Sequence, residues 1–188
     1  TLEEIAAIDR LGADAQVGMA LYTGRLLLAD ALVAPLTADR PDGLWPTLVV
    51  DEHGIALGLA YSDRESVRVA VERGVGAYHS RQRGLWIKGE ESGARQELLR
   101  IDLDCDRDAL RFTVRQAAPG FCHAGTWTCF GEGEGLGALF RTLVARRMEA
   151  PAGSYTRCLF DEPDLLAKKL VEEARELVQA QGEADVVH

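Results

Sequence analysis

The chain is poor in cysteine, has no excess of basic residues, and contains neither a long apolar run nor a low-complexity segment. Each absence removes a class of protein. Four cysteines in 188 residues, in an acidic chain with nothing resembling a secretory signal, argue against a disulfide framework. A reduced, cytoplasmic setting is expected. A net charge of −9 disfavours a general nucleic-acid binder, whose footprint is a basic patch. The longest apolar stretches, such as Leu26-Leu27-Leu28-Ala29, are far too short to span a bilayer. Hydrophobic residues at 47% are ordinary for a globular core, and the length suits one or two modest domains.

Against this plain background stands Asp104-Cys105-Asp106-Arg107-Asp108, followed by Cys122-His123 and Cys129. On an extended strand, alternate side chains point to opposite faces. Asp104, Asp106 and Asp108 would then share one face, suited to a hard, oxygen-liking cation such as Mg²⁺. Cys105 would look the other way and, joined by Cys122 and Cys129, offer soft ligands suited to Zn²⁺. Three thiolates leave a fourth position for water, as in catalytic zinc sites. Familiar alternatives lack their required residues. An EF-hand loop starting at Asp104 needs Gly and Glu where Ala109 and Arg115 stand. The spacing C-x₁₆-C-x₆-C is no standard zinc finger. A nucleobase deaminase would carry H-x-E with P-C-x-x-C, and neither occurs. An acidic solvated turn beside unrelated buried thiols remains open at this level.

Further motifs surround this run. Arg83-Gly84-Leu85-Trp86-Ile87-Lys88-Gly89, Ser92-Gly93, Gln96, the Asp104–Asp108 run, Cys122-His123 and Cys129-Phe130 together resemble phosphoribosyl-AMP cyclohydrolase of histidine biosynthesis. The resemblance runs from about Pro46 to Phe130. It implies hydrolytic opening of the adenine ring of phosphoribosyl-AMP at its N1–C6 bond. It also implies an obligate homodimer with composite active sites, zinc on the three cysteines across two protomers, and Mg²⁺ on the aspartates. The segment Gln116-Ala117-Ala118-Pro119-Gly120-Phe121 is one residue longer than the commoner bacterial pattern and resembles the form in fungal multifunctional proteins.

The chain divides into three parts: residues 1–45, 46–131 and 136–188. The first opens with a helical pattern, Leu2, Ile5, Ala6 and Ile8, ending near Gly12. A strand-like run, residues 15–20, then leads through Tyr22-Thr23-Gly24-Arg25 to a second apolar helix. This part weakly resembles the last βα units of the histidine-pathway isomerase barrel. Such a barrel needs eight units, so the piece is expected to serve as packing. Residues 35–46 form a linker rich in Pro, Asp and Gly.

The second part reads as an α+β domain with a mainly antiparallel sheet and one helix. Strand candidates are residues 47–50, 55–61, 77–80, 85–88, 98–106 and 110–116. Glu52-His53-Gly54 is a hairpin turn, and a helix is capped by Asp63 and closed by Gly74. His53 and His79 read as turn or strand-surface residues, and Trp127 as packing.

The third part is an α-helical segment. Leu139, Phe140, Leu143 and Val144 form one face, and a second helix runs from about Pro163 to Gln181. With Gly153-Ser154-Tyr155-Thr156, it resembles the beginning of phosphoribosyl-ATP pyrophosphohydrolase. That resemblance implies Mg²⁺ on Glu172, Glu173 and Glu176. Glu183 and Asp185 sit two apart rather than the three or four that share a helix face, so the second metal cluster is expected to be incomplete and the second activity absent.

The chemistry expected is metal-assisted hydrolysis, with zinc-activated hydroxide attacking C6 and Mg²⁺ assisting substrate positioning. His123 is the candidate general base, because imidazole titrates near working pH. Arg81, Arg83 and Lys88 are candidate phosphate partners, Trp86 a stacking surface, and Ser92 and Gln96 hydrogen-bond partners of ribose or phosphate. The competing class is a non-catalytic zinc-stabilised dimerisation module. It would close its metal site with a fourth protein ligand and be indifferent to loss of the aspartates.

Overall fold

In a computed structural model, which describes residues 1–131 and 135–180, the chain forms two compact units, 1–133 and 134–188. The first unit is built on a four-stranded sheet of order β2-β1-β6-β5: β1 is Trp45–Asp51, β2 Ala56–Ser62, β5 Gln96–Leu103 and β6 Leu110–Gln116. β1–β2 and β5–β6 are antiparallel hairpin pairs, and β1 runs parallel to β6 at its centre. The chain returns to that parallel position through helix α4 (Arg64–Arg73) and a separate two-stranded ribbon, β3 (Ala77–Ser80) and β4 (Gly84–Ile87). The α+β reading with a mainly antiparallel sheet is therefore correct.

Local chemistry explains these boundaries. The β1–β2 turn forms because Asp51 Oδ1 accepts from the backbone N–H groups of His53 and Ile55, at 3.0 and 2.9 Å. Helix α4 starts at Asp63, which accepts from Ser66 N–H at 2.8 Å, while the Ser66 hydroxyl accepts from Asp63 N–H. It stops at Gly74, whose φ of 64° is the left-handed cap that glycine adopts without strain.

The core lies where α4 and the ribbon cover the sheet. Val49 and Phe112 face each other in register across β1 and β6, both fully buried, and the Tyr78 ring packs 5.4 Å from that of Phe112. Burying each such side chain contributes about 1.5–3 kcal/mol. One polar network runs through this core. The Tyr78 hydroxyl donates to Gln96 Oε1 at 2.7 Å, and Gln96 Nε2 donates to Gln116 Oε1 at 2.8 Å. Gln116 Nε2 then donates to the Ala117 carbonyl at 2.7 Å.

The first 44 residues pack onto this unit with three helices, α1 (Leu2–Arg10), α2 (Met19–Tyr22) and α3 (Leu28–Leu32). Ala29, Val33 and Leu36 are buried members of the main core. Residues 15–20 form no strand: Met19 opens a single helical turn instead. A strand needs a partner edge to satisfy its backbone, and among the described residues none pairs with this segment.

In the second unit, α5 spans Gly135–Glu149, α6 Tyr155–Asp161 and α7 Pro163–Gln179. Ser154 caps α6 by accepting from Arg157 N–H at 3.3 Å, and Pro163 starts α7. Among the described residues this unit buries only Gly137, and Leu139, Phe140, Leu143 and Val144 are each about half exposed. No helix among the described residues is long and apolar enough to cross a membrane.

Candidate metal centre and cleft

A cleft of about 650 Å³ opens in the first unit between β2, the β3–β4 ribbon and the loop that follows β6. That volume suits a nucleotide-sized ligand. Arg81, Arg83, Trp86, Lys88, Ser92, Cys122, His123 and Cys129 all line it. Arg83 lies over the Trp86 ring at 5.5 Å from its centroid, and Arg81 lies over Tyr61 at 5.0 Å. The wall thus offers cations beside aromatic faces, a surface for phosphate and base together.

Cys122 and Cys129 lie side by side on its floor. Cys129 is anchored to β2 by its N–H, which donates to the Leu57 carbonyl at 2.7 Å. The backbone N–H of Ala124, the Thr126 hydroxyl and neighbouring Lys88 pull the Cys122 thiol below its usual value. Burial, together with Cys122, pushes Cys129 upward. Lys88 is 6% exposed, with Nζ 5.5 Å from the Phe121 ring centroid. Burial lowers its pKa against the pull of the two thiols.

The acidic run lies elsewhere in the unit, outside the lining of the cleft. It does not continue β5, which ends at Leu103: residues 104–109 are the turn between β5 and β6, so period-two alternation does not apply. The turn nevertheless gathers Asp104, Asp106 and Asp108, whose carboxylate oxygens lie within 4.8 Å of one another. Among the described residues this is the one group of three His, Cys, Asp or Glu able to meet at one ion. Asp104 Oδ1 accepts from the N–H groups of Asp108 and Ala109 at 3.0 and 3.1 Å; these bonds outweigh burial and hold its carboxyl low. Asp108 is pushed up by its contact with Asp104 and the surrounding negative charge. A donor set of three crowded carboxylates fits a divalent, oxygen-liking cation, which would relieve that repulsion.

Cys105 is exposed on this turn, its Sγ 3.8 Å from Asp106 Oδ1. The three cysteines therefore do not assemble within the described residues of one chain. Two soft donors lie together in the cleft and the third points to solvent. The pair fits Zn²⁺ in ligand type.

Gln96 does not reach the cleft: it is 3% exposed and its amide is consumed by Tyr78 and Gln116. His79, on β3 and partly exposed as a strand-surface residue, also lines the cleft, and its Nδ1 lies 2.6 Å from Asp63 Oδ2. Burial works against ionisation of Asp63, but hydrogen bonds from Ser66 and His79 hold it below the usual carboxylate range. Tyr61 and Phe121 were also missed. Only their placement beside the basic and thiol groups, which is non-local, marks them.

In the second unit Glu172, Glu173 and Glu176 are exposed on α7 and do not form a three-carboxylate cluster among the described residues. Glu172 instead accepts from Lys169 Nζ at 2.8 Å. Glu183 and Asp185 lie outside the described residues.

Comparison with known proteins bears on this arrangement. Residues 58–131 match the family model for phosphoribosyl-AMP cyclohydrolase, and residues 136–188 that for phosphoribosyl-ATP pyrophosphohydrolase. The histidine biosynthesis bifunctional protein HisIE of Pyrococcus furiosus is 35% identical over 175 residues, covering 85% of this chain and 83% of that protein. The chain belongs to the HisIE family. Fungal proteins with this HisIE-like portion are also similar. The histidine biosynthesis bifunctional protein his7 of Schizosaccharomyces pombe is 52% identical over 163 residues, 87% of this chain. The histidine biosynthesis trifunctional protein of Saccharomyces cerevisiae is 48% identical over 162 residues, 85% of this chain. The chain spans 39% and 20% of the lengths of those two proteins. The HisIE-like order, cyclohydrolase model first, coincides with the division into two units.

Proposed function

We propose that the first unit catalyses hydrolytic opening of the adenine ring of phosphoribosyl-AMP at N1–C6, within histidine biosynthesis. The observation that carries this reading is the paired thiols of Cys122 and Cys129 on the floor of a nucleotide-sized cleft walled by Arg81, Arg83, Trp86 and Lys88. Cys122 and Cys129 would hold Zn²⁺ there, which would supply Lewis acidity and bring the pKa of water at the site towards neutrality. His123, next to Cys122 in sequence and in the cleft lining, takes the proton from attacking water. Arg81 and Arg83 hold phosphate, Trp86 stacks on the base, and Ser92 bonds ribose or phosphate. Asp104, Asp106 and Asp108 hold Mg²⁺.

The third thiolate comes from Cys105 of a second copy, so the working form is a homodimer with two composite sites. This explains why Cys105 is exposed and remote from its partners in a single chain. Free thiols at a catalytic metal suit the reducing cytoplasm. Residues 136–188 are the pyrophosphohydrolase portion, with Glu172, Glu173 and Glu176 as cation ligands. Glu172 is also paired with Lys169 at 2.8 Å, an exposed contact that a cation would have to compete with. The non-catalytic zinc module is disfavoured because the cleft brings cationic and aromatic groups to the thiols.

The test combines metal analysis with an absorbance assay on phosphoribosyl-AMP. The protein should hold about one Zn²⁺ per protomer, and Cys122→Ser should lose both metal and turnover. Full turnover by zinc-free Cys122→Ser would refute the reading.

A further inference from the structure

The residues that shape the acidic turn are not confined to the segment matched by the cyclohydrolase model, which begins at residue 58. Arg107, at the centre of the run, has a φ of 65°, a left-handed conformation that costs a non-glycine residue energy unless its surroundings hold it. Three contacts do so. Its guanidinium makes a two-pronged pair with Asp9 of α1, Nη2 to Oδ1 at 2.8 Å and Nε to Oδ2 at 2.9 Å. Its carbonyl accepts from the Thr37 N–H at 2.8 Å. Its Nη1 turns inward to donate to the carbonyl of Asp104, one of the three clustered carboxylate residues.

The pair is partly sheltered, with Arg107 and Asp9 side chains 34% and 25% exposed. The fork geometry fixes direction as well as distance. Thr37 therefore holds the backbone of the turn at Arg107 and Asp9 holds its guanidinium, and that guanidinium is bonded to the carbonyl of Asp104, a cation-ligand candidate. The guanidinium charge also acts on the neighbouring Asp104 carboxylate.

We propose that the N-terminal segment is part of the cation site: Asp9 and Thr37 are positioning residues that hold Arg107, and through it Asp104, Asp106 and Asp108, in the shape that binds a divalent cation. This rests on the reading of the turn as a Mg²⁺ site. Outer partners that orient metal ligands typically change affinity by about 10–100-fold when removed.

The experiment titrates Mn²⁺, a paramagnetic stand-in for Mg²⁺, into the zinc-loaded full chain and counts free Mn²⁺ by electron paramagnetic resonance. Asp9→Asn should weaken Mn²⁺ binding about tenfold or more, with zinc content unchanged and Asp9→Glu recovering part of the loss. Arg107→Gly, which removes the pair while keeping the positive φ accessible, should weaken it similarly. Asp106→Asn, which deletes a ligand, is the reference and should abolish binding. If Asp106→Asn loses Mn²⁺ while Asp9→Asn and Arg107→Gly bind like the parent, the positioning role is overturned and the cation site stands. If Asp106→Asn binds like the parent, the cation site falls and the positioning role with it. A lower melting temperature for Asp9→Asn with unchanged Mn²⁺ affinity would show that the clamp serves stability alone, and would also overturn the proposal.

Discussion

Gly58 packs against both Phe121 and Cys129, so Gly58→Ala should damage the fold and the proposed zinc site together. A Cβ at Gly58 would lie 2.5 Å from Phe121 Cε1, 2.9 Å from Cδ1 and 3.0 Å from Cys129 Sγ. The β2 backbone has little room to retreat, since Gly58 pairs with fully buried Val49 and the neighbouring Leu57 carbonyl anchors Cys129. Relief must come from the Phe121 ring moving towards the cleft and from the thiol shifting. Overpacking of this kind costs about 1–3 kcal/mol. At about 2–4 °C per kcal/mol for a chain of this size, the melting temperature should fall by roughly 2–12 °C. Displacing Cys129 should also speed zinc loss to a chelator, with affinity lower by about tenfold or more. Thermal unfolding and chelator competition read the two effects separately. A variant that melts with the parent and holds zinc as firmly would refute the packing of Gly58 under the thiol pair. A variant that melts lower but holds zinc unchanged would show that Phe121 absorbs the whole strain.

Two further outcomes follow from the same geometry. Tyr78→Phe leaves Gln96 Oε1 without its buried 2.7 Å donor, and urea denaturation should show a loss of about 1–3 kcal/mol with KM for phosphoribosyl-AMP unchanged; a raised KM at unchanged stability would return Gln96 to the substrate site. Mixing inactive Cys105→Ser and Cys122→Ser proteins should restore part of the turnover through heterodimers with one intact composite site. Continued inactivity after proven subunit exchange would place the whole zinc site within one chain.

Much of the fold is legible locally because its signals are short-range. Asp63 and Gly74 bracket α4 through hydrogen bonds and a left-handed φ that involve only near neighbours. The Glu52-His53-Gly54 turn follows from the reach of Asp51 to the next few amides. The run 15–20 shows the opposite case: its residues are strand-like, but strand formation depends on a partner edge, which is not local. The same limit separates the two halves of the acidic run. Clustered carboxylates and a thiol at alternate positions are a sequence property, yet whether a strand or a turn delivers them depends on where β5 and β6 end.

Ligand types, net charge and motif order are properties of the residues alone, because they need no coordinates: three thiols, three carboxylates and their basic companions are there in any conformation. Proximity is not. That Cys122 and Cys129 meet while Cys105 stands apart, that Gln96 belongs to the core and His79 to the cleft, and that Asp9 grips a turn 98 positions away were decided by tertiary packing. Each depends on which surfaces are buried together, and burial is set by the whole chain rather than by any window of it.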